Sequence, residues 1–228
     1  MSSSNEIELC YMVEVRRPEG YAEASAVEIH EQYEYKLPPA EGGVRRGKIR
    51  IRKTTANNET TYTETIKTPN DPSSMLGDME SNTEINEAFF KAWRHVYRAD
   101  GQHKIRHTFV TTNAVMNYQG TEIKLPPVHF ELDVFIDKTG SKSKWAKVDI
   151  EVQDIIKMLK ESYEEVDVAK FEIKFDCLPL DIGQVVSMVT KHSEERAAID
   201  NFFKRYCIPY EVDDGGKNND QSTGSSGN

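Results

Sequence analysis

The chain has 228 residues, and 38 Asp and Glu against 29 Lys and Arg leave a formal net charge of -9. That length suits one large domain or two small ones with ample room for a buried core. The acidic balance argues against a general nucleic-acid binder, and no apolar run approaches the roughly 20 residues of a membrane span.

The start, MSSSNEIEL, lacks the basic beginning and apolar middle of a secretory signal. Cys10, Cys177 and Cys207 are odd in number, far apart and without CxxC spacing, which favours reduced thiols and a cytoplasmic protein. Along the chain, alternation of polar and apolar residues predicts strands over 6–13, 27–36, 47–54, 61–67, 103–111, 128–136, 145–152 and 169–176. Gly, Pro, Asn and Asp clusters at 38–43, 55–60, 69–78 and 137–143 read as turns between them. Helical spacing marks three segments. After Ser81 and Glu84, spaced as a capping box, Ile85, Phe89, Trp93 and Val96 share a face; Ile155, Ile156, Leu159 and Tyr163 form a second; Ala198, Phe202 and Tyr206 form a third. Residues 211–228, rich in Gly, Ser and Asn, read as a disordered tail, leaving a single folded domain over 5–210.

The polar faces of these strands are sorted by sign. Glu6 and Glu8 share one face, as do Glu131 with Asp133 and Asp149 with Glu151, beside Lys147. Lys48, Arg50 and Arg52 make a basic face, and Lys67, Lys104 and Arg106 add to it. One reading is an ordinary sheet with these faces in water. Like charges directly opposite one another across strands are destabilising, however, so sorting calls for a neutralising partner. The other reading turns the charged faces inward, in an α+β fold whose antiparallel sheet closes into a barrel. Carboxylates there would hold magnesium or manganese, and guanidiniums would hold phosphate oxygens, while Ile49, Ile51, Leu132, Val134, Val148 and Ile150 would face outward under the helices. The basic run 45–53 could alternatively hold nucleic acid through phosphates alone. His129 shares the face of Glu131 and Asp133 and is a candidate substrate contact. No phosphate-binding loop, nucleophile elbow or dinucleotide fingerprint occurs.

The succession ExE, RxR, TIK-TP, KxR, ExD and DxE resembles the CYTH domain of the triphosphate tunnel metalloenzymes. The resemblance runs from Glu6 to Tyr206 and implies an eight-stranded antiparallel tunnel with helices outside. It implies metal ligands at Glu6, Glu8, Glu131, Asp133, Asp149 and Glu151, and triphosphate contacts at Arg50, Arg52, Lys67, Lys104 and Arg106. Catalytic roles would fall to Glu6, Glu8, Lys67 and Arg106. The implied activity is metal-dependent hydrolysis of inorganic triphosphate, a nucleotide, thiamine triphosphate or an RNA 5′ end. Alternatives are a binder that does not hydrolyse, or a class IV adenylate cyclase. Two positions depart from the pattern: Asp149 stands where glutamate is usual, and Cys10 where the family's ExExK has lysine. A thiol cannot supply that fixed positive charge.

Overall fold

The alternating stretches become strands because one side of each carries Ile, Leu, Val or aromatic residues that must leave water. The computed structural model describes residues 3–39, 41, 46–69, 78–189 and 192–210. In chain order the first strands are β1 (Ser3–Glu6), β2 (Glu8–Val15), β3 (Ala26–Lys36), β4 (Lys48–Ala56), β5 (Glu59–Pro69) and β6 (Asp78–Glu84). Helix α1 (Glu87–Tyr97) precedes β7 (Gly101–Thr111), β8 (Val115–Tyr118), β9 (Thr121–Lys124), β10 (Val128–Ile136) and β11 (Lys142–Glu151). Helix α2 (Gln153–Leu159), β12 (Glu172–Ile173), β13 (Ile182–Ser187) and α3 (Ser193–Arg205) complete the described elements.

Ten strands pair in one antiparallel sheet, in the order β1-β6-β5-β4-β3-β7-β10-β11-β2-β13, and β12-β8-β9 form a smaller one. This is α+β, as expected, but the ladder is an open ten-stranded sheet rather than a ring of eight. The reason lies at Ile7. The first strand predicted as one unit breaks there, so β1 pairs with β6 while β2 pairs with β11, nearly at the other end of the order. The Ile7 carbonyl is taken by the Val152 amide at 3.0 Å, outside both ladders. Beyond β2 the sheet continues into β13 (Val186 opposite Met12), which gives β2 a second partner.

The apolar faces do point outward beneath the helices. Leu132, Val134, Val148 and Ile150 join Ile155 and Leu159 of α2 and Met116 and Tyr118 of the small sheet in the larger core. Ile51 and Tyr33 form a second core with Phe90 and Trp93 of α1. Helix α1 is capped by Asn86, whose side chain accepts from the Phe89 amide at 2.8 Å. The predicted Ser81–Glu84 capping box is therefore wrong, because both residues belong to β6. In α3 the buried residue is Ile199 rather than the expected Ala198, which is exposed. Phe202, Phe203 and Tyr206 surround Phe135 of β10 with ring centroids 5.4, 5.4 and 6.2 Å away. The predicted strand at 169–176 shrinks to two residues, since only Glu172 and Ile173 find partners on β8. The tail at 211–228 and most of the turns at 38–43 and 69–78 lie outside the described residues.

Candidate functional site

Register places the charged residues on one face and sorts them into halves. Lys67 on β5, Arg50 and Arg52 on β4, and Lys104 and Arg106 on β7 occupy one half. Glu131 and Asp133 on β10, Lys147 and Asp149 on β11, and Glu8 and Cys10 on β2 occupy the other. Arg50 nevertheless feels the charge of Glu8. Four strands lie between theirs in the ladder, which in a flat sheet would put them about 24 Å apart at about 4.8 Å per strand. The sheet is therefore strongly curled, and its charged face is concave. Phe135 lies at one end of that face by register, and its aromatic contacts bring α3 to the same end.

The seam between the halves is the cross-strand pair Arg106 and Asp133. The Arg106 guanidinium donates from Nε to Asp133 Oδ1 at 2.8 Å and from Nη2 to Oδ2 at 2.9 Å, and from Nη1 to Glu131. Lys104 donates to the same Asp133 carboxylate. Asp133 is 0% exposed. Burial opposes its charge, but Lys104 and Arg106 outweigh that and hold its carboxyl well below the usual range. Lys104 is also buried, at 5% exposed. Burial, helped by Arg106, Arg52 and Lys147, pushes its pKa down to about 7 against the pull of Asp133.

Arg50 and Arg52 are arranged differently. Arg50 Nη2 donates to Thr65 Oγ1 at 3.4 Å and Arg52 Nη2 to Gln32 Oε1 at 3.2 Å, both neutral acceptors. The Nε atoms of both are buried without a hydrogen-bond partner among the described residues. Burial and mutual repulsion, with Arg106 adding to it, press the Arg52 pKa down to about 9. Glu34 lies near enough to attract Arg50, but among the described residues neither guanidinium has an ion-paired carboxylate, so two desolvated cations lie beside one another in an arrangement that an anion would relieve. Lys67 is instead ion-paired with the buried Glu80.

In the acidic half, the ligand atoms of Glu8, Cys10 and Asp149 all lie within 4.8 Å of one another. Beside them is a cavity of about 130 Å³ lined by Glu8, His129, Glu131, Asp149 and Glu151. Lys147 donates to Asp149, with Nζ 2.5 Å from Oδ1. Burial raises the Cys10 thiol pKa to about 12, Lys147 drawing it down and Asp149 pushing it up. A larger cavity of about 220 Å³ lies on the convex side against α1. Its wall is occupied by internal contacts such as Arg94 over the Tyr33 ring at 4.5 Å, so the chemistry belongs to the smaller cavity.

The structure thus gathers Glu8, Arg50, Arg52, Lys67, Lys104, Arg106, Glu131, Asp133, Asp149 and Glu151 on one face, with His129 at the acidic cavity. The Glu6 backbone lies in β1 opposite Asp78, at a register position on that face, and its side chain is outside the described residues. Sequence reasoning gave Lys147 no role, although its spacing from Asp149 already put it on the shared face. It supplies a cation beside Cys10, the position where the resemblance expects lysine. His30 and Glu80 were also missed. His30 is 1% exposed, shares a hydrogen bond at Nε2 with Glu28 across 2.8 Å, and leaves Nδ1 buried without a partner among the described residues.

No protein-family model matches the chain, and no curated protein matches it. Three solved structures show a loose likeness. PH1819 from Pyrococcus horikoshii OT3 is 19% identical, with 73% of this chain and 93% of that one covered and a TM-score of 0.39. The hypothetical protein NE1496 is 18% identical over 74% and 88% of the two chains, with a TM-score of 0.35. HpAC1 from Hippeastrum, described as revealing a dominant triphosphatase activity, is 14% identical over 75% and 91%, with a TM-score of 0.37. Likenesses this loose carry no argument about activity. Among the described residues, no helix is long and apolar enough to cross a membrane.

Proposed function

We propose that the concave face binds a triphosphate-bearing small molecule beside a divalent cation and hydrolyses its terminal phosphate. The observation that carries this is the Arg50–Arg52 pair, enclosed without ion-paired carboxylates among the described residues and looking across a curled sheet at an acidic cavity. Phosphate oxygens would take both guanidiniums in bidentate contacts, and Lys67, Lys104 and Arg106 would extend the grip. The donor set of Glu8, Asp149, Glu131 and Glu151 fits a divalent ion through carboxylate oxygens, and magnesium or manganese suits them. Such an ion, when bound, neutralises phosphate oxygens and helps orient the attacking water. Asp133 holds Arg106 and Lys104 in place, so that charge on the transferred group meets fixed donors. The motif order resembling the CYTH domain supports the same reading, and the proposal includes a face that the β1–β2 segment helps to enclose, one domain over residues 5–210 and a place in the cytoplasm.

The test is a panel of inorganic triphosphate, nucleotides, thiamine triphosphate and 5′-triphosphate RNA with magnesium or manganese. Released orthophosphate is expected, and pyrophosphate from ATP would instead indicate a cyclase. Unchanged ligand recovered from a tight complex would mark a binder. Arg50→Ala and Arg52→Ala are each expected to weaken triphosphate binding by about 2–5 kcal/mol in calorimetry, against under about 1 kcal/mol for a surface charge. Small losses at both positions would return the face to solvent.

A further inference from the structure

The acidic half of the concave face contains a sulfur. Cys10 lies opposite Asp149 in the β2–β11 ladder and two residues beyond Glu8 on the same strand face. The three ligand atoms (two carboxylate oxygens and one thiol sulfur) lie within 4.8 Å of one another, and His129 and Glu151 line the adjoining cavity. We propose that Cys10 is a metal ligand and that the site selects a thiolate-binding divalent ion, of the zinc or cobalt kind, over magnesium. This rests on the reading of the acidic half as a cation site and specifies which cation it takes.

Two observations favour the softer ion. The convergent set is not all oxygen, and thiolate sulfur bonds zinc and cobalt well but contributes little to magnesium, which prefers octahedral oxygen and keeps its water. Zinc held at about 2.0–2.3 Å from such donors would set them about 3.5 Å apart, a modest contraction of the observed spacing. The Lys147 ammonium now sits 2.5 Å from Asp149 Oδ1, and an entering ion takes its place on that carboxylate. Binding would transfer no electrons: the Cys10 S–H bond breaks, a sulfur–metal bond forms, and one proton leaves to solvent per ion bound. His129 and the carboxylates of Glu131 and Glu151 are within the same cavity to complete the coordination.

The experiment uses the full chain stripped with a chelator and titrated separately with cobalt, zinc, manganese and magnesium. Cobalt is expected to produce a near-ultraviolet sulfur-to-metal charge-transfer band. Cys10→Ser should remove the band and weaken cobalt and zinc binding by at least about 100-fold, since losing a group that merely supports a ligand already costs up to about that much. Magnesium affinity should be almost unchanged. Site-resolved alkylation of the wild type gives a second measure that needs no variant: zinc should protect Cys10 but not Cys177 or Cys207. Cobalt binding without the band, with Cys10 alkylated equally fast in the presence of zinc, would overturn the thiolate proposal and leave the cation site standing. Failure of every divalent ion to bind would overturn both.

Discussion

Asp133 shows how a single carboxylate organises the face. Fully enclosed, it accepts from both Nε and Nη2 of Arg106 and from Lys104, so one carboxylate balances two cations. Asp133→Ala would leave Lys104 and Arg106 without that compensation, and a destabilisation of about 3–5 kcal/mol is expected in urea unfolding. His30 gives a pH signature of its own. Burial lowers its pKa from the ordinary 6.5 to about 4, with Glu28 pulling the other way and Arg52, Lys104 and Arg106 adding to the depression. Between these values the unfolded chain binds a proton that the folded chain refuses, so stability falls as pH drops from about 6.5 to about 4. The full effect of His30 is about 3 kcal/mol, at about 1.4 kcal/mol per pH unit. His30→Gln should flatten this part of the stability–pH curve, while the loss below pH 4 from Asp133 and Asp149 persists. An unchanged slope between pH 6.5 and 4 in the variant would assign the effect elsewhere.

Among the elements, β4 depends on the residue just before it. Gly47 has φ 103°, and a Cβ there would lie 2.1 Å from the Lys67 carbonyl oxygen. Gly47→Ala combines a left-handed conformation with a backbone clash, so a loss of more than about 1 kcal/mol is expected, together with weaker triphosphate binding as Lys67 shifts. Matched unfolding and calorimetry would show whether the two effects travel together. The strands carrying the bases and acids were legible because period-two alternation survives wherever one face is apolar: the predicted 128–136 coincides with β10. Elements without that contrast were not. In β6, DMESNTE has little apolar side, and its pairing with β5 and β1 comes from neighbours rather than from its own pattern. The partners of Lys67 and Arg52, Glu80 and Gln32, were hidden for a related reason, since cross-strand register is set by the whole sheet. Sign sorting was visible in the sequence, but only the curl brings Arg50 within the field of Glu8.

At the scale of the whole molecule, the concave face keeps many of its charges in internal pairs, yet Arg50 and Arg52 remain exceptions. A polyanion that binds the folded chain and not the unfolded one should therefore raise the melting temperature. At about 100 times its dissociation constant, triphosphate would add about 2.7 kcal/mol, measurable by scanning calorimetry. The shift should shrink in Arg50→Ala and Arg52→Ala, and an equal shift in both variants would place the anion elsewhere.

The break at Ile7 also bears on how the protein is made. Residues 3–15 leave the ribosome before all of their strand partners, which are 78–84, 142–151 and 182–187. At about 5–20 residues per second, the opening strand waits on the order of 10–40 s for its last neighbour to be synthesised. Until 142–151 are made, Val13, which ends fully enclosed, has no neighbouring strand opposite it. A nascent chain of this kind gains its last strand pairing only once residue 187 has emerged, and until then it depends on whatever shields an unpaired β-strand at the tunnel exit.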